Sequence, residues 1–247
     1  MFRTTTRITF FCLIGCLAVI NCNAAVETLK GPDGTETKVR IDWMPASFFR
    51  KPAQTVLIAH GSGGVNANHH YWAKTFNGWG YNAVVIDHYT LRGITRHTGQ
   101  VAMSTIDRAR DFGLVSSWVQ KQPWHKGNMA VVGFSQGGGG LMSYVNEKVM
   151  AQLEVLPAGP SPVAVVIAVY PSCGIQTPPE KPSMPVLMLL AEKDDLALPE
   201  LCKPIDDPRY KVKILKNSTH SFDEKIPSTA KLIFTQRYSQ EAVDEAS

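Results

Sequence analysis

The 247-residue sequence contains no apolar run long enough to cross a membrane as a helix. Its longest apolar run is residues 8–20. A membrane-spanning helix needs about 20 residues, so this run is too short. Charged residues make up only 19% of the chain, and the 25 basic and 21 acidic side chains include no long basic run. This composition disfavours both a disordered chain and a nucleic-acid-binding surface. Five cysteines are too few to hold a chain of this length, so an apolar core must do so.

The first 24 residues have the three-part layout of a secretory signal peptide. Arg3 and Arg7 precede the apolar run, and small residues follow it, which predicts cleavage after Ala24. We therefore expect a periplasmic or secreted protein with no stable membrane insertion after cleavage. Two alternatives stay open. The segment could remain as an uncleaved anchor, or Cys16 could be lipidated, because the Leu-Ile-Gly-Cys sequence that ends there resembles a lipobox.

Export would leave residues 25–247 as a single domain with two cysteines, Cys173 and Cys202. An even pair of cysteines in an oxidising compartment is a candidate disulfide. Two buried free thiols are the alternative, because the sequence does not give the separation of the two Cα atoms.

Continuous runs rich in Val and Ile alternate with helix-like stretches along the rest of the chain. Such runs are typical of parallel strands that are buried on both faces. The predicted buried strands are residues 55–59, 83–86, 129–132, 163–169 and 186–190, with an alternating strand nearer a sheet edge at 211–215. Residues 101–120 and 136–147 are predicted to be helices. This order predicts an α/β domain with a doubly wound, mostly parallel sheet, which binds ligands beyond the carboxyl ends of its strands.

One predicted strand runs directly into the sequence Gly-Phe-Ser-Gln-Gly, which places Ser135 between Gly133 and Gly137. The G-x-S-x-G pattern between a strand and a helix is typical of a nucleophile elbow, a strained turn that exposes the serine hydroxyl. The alternative is a glycine-rich turn in which Ser135 only caps a helix. The position after a buried strand favours the nucleophile.

A serine nucleophile needs a general base, and the base needs an acid to orient it. His220 is the only histidine that follows Ser135 in the sequence, and it lies just after the last predicted strand. We therefore predict that His220 is the base. The neighbouring Asp223 and Glu224 are expected to be solvated charges.

The acid is expected after the penultimate strand, where Glu192, Asp194 and Asp195 lie close together. Asp194 is the preferred candidate for the acid. Asp195 remains the alternative, because the end of a predicted strand is uncertain by a residue.

An oxyanion hole needs two backbone N–H donors. Gln136, directly after the candidate nucleophile, can supply one, and the glycine-rich loop at residues 60–64 can supply the other. A dinucleotide-binding loop is the rival interpretation of that loop, but position 66 is Asn where the fingerprint needs Gly. We predict no cofactor and no metal.

Six segments carry a family resemblance: IAHGSGGVN (58–66), DHYTLRG (87–93), VVGFSQGGGG (131–140), YPSCG (170–174), LAEKDDLALPELC (190–202) and STHSFD (218–223). Together they resemble the dienelactone hydrolase family of the α/β-hydrolase superfamily. The resemblance implies Ser135 as nucleophile, Asp194 as acid and His220 as base. It further implies oxyanion donors at Gln136 and Ser62. Asp87 and Arg92 match a family stretch near the pocket, and a structural ion pair is the alternative for these two.

The sequence departs from this family in three respects. The founding dienelactone hydrolases have a cysteine nucleophile, where this chain has Ser135, and a glutamate in the loop that here contains His60 and Gly61. The family also ends in a long helix, whereas only residues 240–247 are left for one here, so we predict a short or missing helix and a partly exposed sheet face. The expected function is an exported serine hydrolase that acts on carboxylic esters or related acyl groups. A non-catalytic binding protein, a peptidase and an acyltransferase are the alternatives.

Overall fold

The computed structural model describes residues 8–9, 23–31, 34, 36–46, 52–94, 103–153, 161–173, 181–202, 207–225 and 238–246. Most of the predicted signal peptide, including Cys16, lies outside these residues. The predicted cleavage site after Ala24 falls near the start of a strand that begins at Asn23. Among the described helices, none has the length and apolar character needed to cross a membrane.

Within the described ranges, nine strands form one sheet. They are β1 (Ile8–Thr9), β2 (Asn23–Lys30), β3 (Glu36–Met44), β4 (Ala53–Ala59), β5 (Asn82–Asp87), β6 (His125–Phe134), β7 (Val163–Val169), β8 (Val186–Ala191) and β9 (Tyr210–Leu215). Their order across the sheet is β1-β2-β3-β5-β4-β6-β7-β8-β9. The pairs from β5 to β9 are parallel, while β1, β2 and β3 join through antiparallel pairs. The mostly parallel α/β sheet that the sequence predicts is thereby confirmed.

Helices cover both faces of this sheet, as its buried strands require. They are α1 (Ala67–Gly78), α2 (Thr105–Val119), α3 (Gln136–Val145), α4 (Glu147–Leu153) and α5 (Gln240–Ala246). Val131 belongs to the core that α2, α3 and α4 cover, whereas the next residue, Val132, belongs to the core that α1 and α5 cover. Alternation along a strand explains this division, because successive side chains point to opposite faces. Because both faces of the sheet are apolar, the strands appear in the sequence as continuous apolar runs.

The helix predicted at residues 101–120 begins later, at Thr105, because a capping box fixes its start. Ser104 accepts a hydrogen bond from the backbone N–H of Asp107, and the Asp107 side chain accepts one from the backbone N–H of Ser104. This exchange satisfies two N–H groups that a helix start otherwise leaves without partners.

The C-terminal helix is short, as predicted: α5 has seven residues. Beside it, between the sheet and α1, lies an apolar cavity of about 100 Å³. Trp72 and Trp79 line this cavity together with Phe134 and Phe222. The cavity lies on the face of the sheet that α1 and α5 cover.

Candidate active site

Ser135 lies in the sharp turn between β6 and α3. Its φ of 51° and ψ of −117° form a backbone conformation that residues other than glycine rarely adopt. A hydrogen bond of 2.9 Å from the Ser135 N–H to the carbonyl of Val169 holds this turn. The side chain of Ser135 is only partly buried, so the strained turn leaves the serine accessible.

The two glycines of the G-x-S-x-G pattern are required by close backbone contacts. A Cβ atom on Gly137 would lie 2.7 Å from the carbonyl oxygens of Ala59 and His60. A Cβ atom on Gly133 would lie 2.7 Å from the backbone of Gly137. Any side chain at either position would therefore push α3 away from β4 and displace Ser135.

A chain of hydrogen bonds joins Ser135 to His220 and Asp194. The Nε2 atom of His220 is 3.0 Å from the Ser135 Oγ, and its Nδ1 is 2.7 Å from the Asp194 Oδ2. The other carboxylate oxygen of Asp194 accepts hydrogen bonds from the backbone N–H groups of Leu196 and Ala197, at 3.0 and 2.7 Å. Asp194 and His220 are buried, so water competes little for these contacts.

The other two carboxylates after β8 have different positions. Asp195 is exposed. Glu192 accepts hydrogen bonds from the Lys216 side chain and from the Asn217 backbone N–H, at 2.7 and 2.9 Å. Glu192 thereby ties the turn after β8 to the turn after β9, and the structure brings Asp194 rather than Asp195 to His220.

Asp223, three residues after His220, is a buried carboxylate, so the prediction that it is solvated is wrong. Its side chain is buried and accepts hydrogen bonds from the Tyr170 hydroxyl, the Trp72 indole N–H and the Asn68 amide, at 2.6, 2.7 and 2.6 Å. Burial and the charge of Asp223 raise the pKa of Tyr170 well above its ordinary value, so its hydroxyl stays a donor. The Tyr170 ring packs against the His220 imidazole, with ring centroids 4.8 Å apart. Glu224, by contrast, is partly exposed.

The loop after β4, which contains Gly61 and Ser62, lies against Ser135. A Cβ atom on Gly61 would lie 3.1 Å from the Ser135 Cβ. The next residue, Ser62, is partly buried, and its backbone N–H donates to no acceptor within the described part of the chain. Gln136 begins α3 on the other side of Ser135. The two predicted oxyanion donors thus belong to segments that flank the serine hydroxyl.

Asp87 and Arg92 do not pair with each other. Asp87 accepts hydrogen bonds from the backbone N–H groups of Tyr89 and Thr90 and so fixes the turn after β5. Arg92 donates instead to both oxygens of the buried Asp111, at 2.9 and 2.7 Å. The alternative interpretation of the two as an ion pair with one another is therefore wrong, because each has its own partner.

Three histidines near the site are buried without charge. Burial lowers the pKa of His69 to about 3 and that of His88 to about 4, and it also keeps the pKa of His60 well below its ordinary value. All three are neutral at pH 7. Across the described ranges, no group of three or more His, Cys, Asp or Glu side chains is placed to hold a metal ion.

The predicted disulfide between Cys173 and Cys202 is present. The two Cα atoms are 5.0 Å apart, within the usual range for a disulfide. Cys173 follows β7, and Cys202 ends the helical turn Pro199–Cys202 that comes shortly after Asp194. The bond therefore braces the segment that holds Asp194.

A family model for X-Pro dipeptidyl-peptidases (S15 family) matches residues 33–193, well over half of the chain. The chain belongs to the S15 family. The matched region extends from β3 to the end of β8 and includes Ser135, while Asp194 and His220 lie beyond it. The S15 family and the dienelactone hydrolases share the α/β-hydrolase superfamily, so this S15 chain is a hydrolase by family.

Solved structures with similar folds include several other hydrolases. A dienelactone hydrolase-like promiscuous phosphotriesterase from metagenomic libraries has a TM-score of 0.67 at 15% identity, over 90% of this chain and 94% of its own. A candidate dienelactone hydrolase from Klebsiella pneumoniae has a TM-score of 0.66 at 14% identity, over 90% and 93%. A carboxylesterase from Lactobacillus plantarum has 0.56 at 13% identity, over 81% and 85%. At these identities the likeness is one of fold. No curated protein sequence matches the S15 chain significantly.

The sequence did not predict the roles of two residues beside the site, Tyr170 and Arg108. Tyr170 supports His220, and Arg108 lies buried under the loop at residues 60–62. Arg108 sits on the stripe of α2 that faces the core, next to Ala109 and one turn before Phe112. That helical stripe was the available signal, because a charged residue within it must find partners inside the protein.

Proposed function

We propose that this chain is a serine hydrolase that cleaves carboxylic esters or related acyl bonds through an acyl-enzyme. The hydrogen-bonded series of Ser135, His220 and Asp194 supports the proposal most directly. Acyl transfer requires a nucleophile that is hydrogen-bonded to a base, and an acid that orients the base. The order along the chain, nucleophile then acid then base, is the one that α/β-hydrolases have.

In the first half of the reaction, the Ser135 hydroxyl attacks the substrate carbonyl. The His220 Nε2, 3.0 Å from the Oγ, accepts the hydroxyl proton, and Asp194 stabilises the imidazolium that forms. The backbone N–H groups of Gln136 and Ser62 stabilise the oxyanion. One donor of this kind contributes about 2.7–4 kcal/mol in comparable sites.

The first half ends when the tetrahedral intermediate collapses and the imidazolium protonates the departing alcohol, which leaves an ester between the substrate acyl group and Ser135. In the second half, a water molecule attacks this ester with His220 as base. Collapse of the second tetrahedral intermediate releases the acid, and the imidazolium returns its proton to the Ser135 oxygen. The same groups act in both halves, because the two halves are chemically equivalent acyl transfers.

Peptidase activity is the second candidate, and the match to the X-Pro dipeptidyl-peptidase family model favours it. An amide differs from an ester mainly in its leaving group, since the amine must be protonated as it departs. His220 is placed to supply that proton too. The substrate that the site accepts therefore decides between the two.

We further propose that the protein is exported. The signal-like N-terminus supports this, and so does the disulfide between Cys173 and Cys202, because disulfides persist in oxidising compartments.

A substrate panel tests the proposed function. Purified protein would be assayed with p-nitrophenyl acetate and butyrate, with a lactone, and with an Xaa-Pro p-nitroanilide. Ser135→Ala is expected to lower kcat/KM by at least about 10⁴-fold on every substrate that is cleaved. Ser117→Ala is the matched control, because Ser117 lies on α2 and its hydroxyl donates to the carbonyl of Gly113 in the same helix. Retention of more than a tenth of the activity in Ser135→Ala would contradict the proposal.

A further inference from the structure

Arg108 is fully buried, and the hydrogen bonds of its guanidinium to the described part of the chain all go to neutral oxygens. Its Nη1 donates to the carbonyl of His60 at 2.8 Å. Its Nη2 donates to the Tyr89 hydroxyl at 2.7 Å, to the Gln136 side-chain oxygen at 3.0 Å and, more weakly, to the carbonyl of Gly61 at 3.4 Å. The Nε of Arg108 has no hydrogen-bond partner in the described residues.

Among the residues that the structure describes, no carboxylate is in direct contact with Arg108 to compensate its positive charge. The buried carboxylate of Asp111, on the same helix, is already engaged by Arg92 and by the Nδ1 of His88. Removal of a charge from water costs free energy that an ion pair would normally offset. Titratable groups that burial perturbs strongly cluster at functional sites.

The contacts of Arg108 lead to the Gly61–Ser62 peptide. The Gly61 carbonyl accepts a hydrogen bond of 2.6 Å from the Nδ1 of His60 in addition to the weaker one from Arg108. His60 can donate there because it is neutral and its Nε2 accepts from the backbone N–H of His88. Across a trans peptide the C=O and N–H groups point in opposite directions. Fixing the Gly61 carbonyl on the Arg108 side therefore turns the Ser62 N–H away from Arg108.

The same guanidinium also holds the segment that contains the second donor. The Gln136 side-chain oxygen accepts from both Arg108 and the Tyr89 hydroxyl, at 3.0 and 2.7 Å. Helices α2 and α3 approach closely at this point, since a Cβ atom on Gly140 would lie 2.8 Å from the Arg108 Cβ. One buried cation thus links both segments that flank Ser135.

We propose that Arg108 is a positioning residue for the oxyanion site, and that its charge stabilises the oxyanion from behind the two amides. Its hydrogen bonds hold Ser62 and Gln136 so that their N–H groups face the reacting oxygen. Because the charge lies in the low-dielectric interior, its attraction for a developing negative charge is weakly screened. This inference rests on the proposed serine hydrolase function.

A purely structural role for Arg108 predicts a different result. A structural tether between α2 and the loop at residues 60–62 would lower thermal stability and disturb substrate binding as much as turnover. A role at the oxyanion site lowers kcat with little change in KM, because the negative charge exists only during the reaction. The split between the two constants separates the two roles.

The experiment compares Arg108→Met, Arg108→Lys and the wild-type protein on p-nitrophenyl acetate. Arg209→Met is the matched control, since it removes the same charge from an ion pair with Asp207 at the protein surface. Circular dichroism and thermal melting establish that each variant is folded. The inhibition constant of trifluoromethyl butyl ketone is measured as well, because its adduct with a serine contains an oxyanion.

We expect kcat of Arg108→Met to fall by about 10²-fold, the low end of the loss for one oxyanion donor, with KM within threefold of the wild-type value. Affinity for the ketone should fall by the same factor as kcat/KM. Arg108→Lys keeps the charge, so its kcat should lie between that of Arg108→Met and that of the wild-type protein. If Arg108→Met does not fold, the kcat of Arg108→Lys and its affinity for the ketone test the inference. A folded variant with unchanged kcat, a loss confined to KM, or unchanged affinity for the ketone would overturn the inference. If Ser135→Ala keeps its activity, the proposed serine hydrolase function itself is wrong. If Ser135→Ala is inactive while the Arg108 variants keep the wild-type kcat, the proposed function stands and only the role of Arg108 is wrong.

Discussion

The two carboxylate oxygens of Asp194 have different partners, and this determines what Asp194→Asn would do. Oδ1 accepts hydrogen bonds from the backbone N–H groups of Leu196 and Ala197, whereas Oδ2 faces the Nδ1 of His220. In the asparagine variant the amide oxygen must keep the first position, because an NH₂ group there would face two donors. The NH₂ group therefore takes the place of Oδ2 and points at His220.

His220 must then change its tautomer. To accept from the new amide, its Nδ1 has to lose its proton, and the Nε2 has to carry the hydrogen instead. That hydrogen would point at the Ser135 Oγ, 3.0 Å away, so the imidazole could no longer remove the hydroxyl proton. A wrong tautomer of this kind lowers kcat on the order of 10⁴-fold, which corresponds to about 5 kcal/mol of transition-state stabilisation. The fold should persist, because the substitution has the same shape and satisfies the same backbone donors.

The assay is steady-state hydrolysis of the best ester in the substrate panel, with thermal melting to check the fold. Asp195→Asn is the matched control: it makes the same charge change one residue away, at an exposed position, and its kcat should stay within about twofold. The reasoning would be refuted by a folded Asp194→Asn variant with kcat within tenfold of wild type. A larger loss in Asp195→Asn than in Asp194→Asn would refute it equally.

Two further predictions concern stability. Replacement of both Cys173 and Cys202 with serine should lower the free energy of unfolding by about 3–4 kcal/mol, because the bond closes a loop with a sequence separation of 29 residues. Urea denaturation at pH 7 measures this change, and a change below about 1 kcal/mol would contradict it. Acid should destabilise the protein as the pH falls from 6.5 to about 4 for His88 and to about 3 for His69, because burial keeps both neutral in the folded state while each binds a proton in the unfolded chain. The loss should reach about 2 kcal/mol per histidine at about pH 5, and denaturation curves with the same midpoint from pH 7 to 5 would rule it out.

The main elements of the fold could be predicted because the parallel strands are buried on both faces. Burial of this kind leaves continuous apolar runs, and the strand from Val163 to Val169 has the predicted bounds. The antiparallel β2 and β3 were not predicted. In β3 the apolar side chains Val39, Ile41 and Trp43 alternate with charged ones, which is the period-two signal of a strand with one buried face.

Much of the candidate site could be predicted from sequence order alone. The serine, the acid and the histidine each follow a strand, and the carboxyl ends of parallel strands meet at one edge of the sheet. The sequence favoured Asp194 but left Asp195 as the alternative, because the position of each carboxylate depends on the turn that Glu192 fixes through Lys216 and Asn217.

The buried charges around the site could not be predicted. Asp223 has the sequence context of a surface loop, and only partners from distant segments, Asn68, Trp72 and Tyr170, make its burial possible. Arg108 likewise depends on oxygens from the loops that follow β4 and β5 and from α3. Such partners converge only in three dimensions, so local patterns show neither the burial nor the hydrogen bonds.

The central claim is that Ser135 is the nucleophile of a hydrolase, and covalent labelling tests it most directly. The folded protein would be treated with a fluorophosphonate and examined by intact-mass and peptide mass spectrometry, beside Ser135→Ala and Ser117→Ala. The account predicts one adduct per chain, located on Ser135, which is absent from Ser135→Ala and present in Ser117→Ala. No adduct on the folded wild-type protein, or an adduct on another residue, would contradict it.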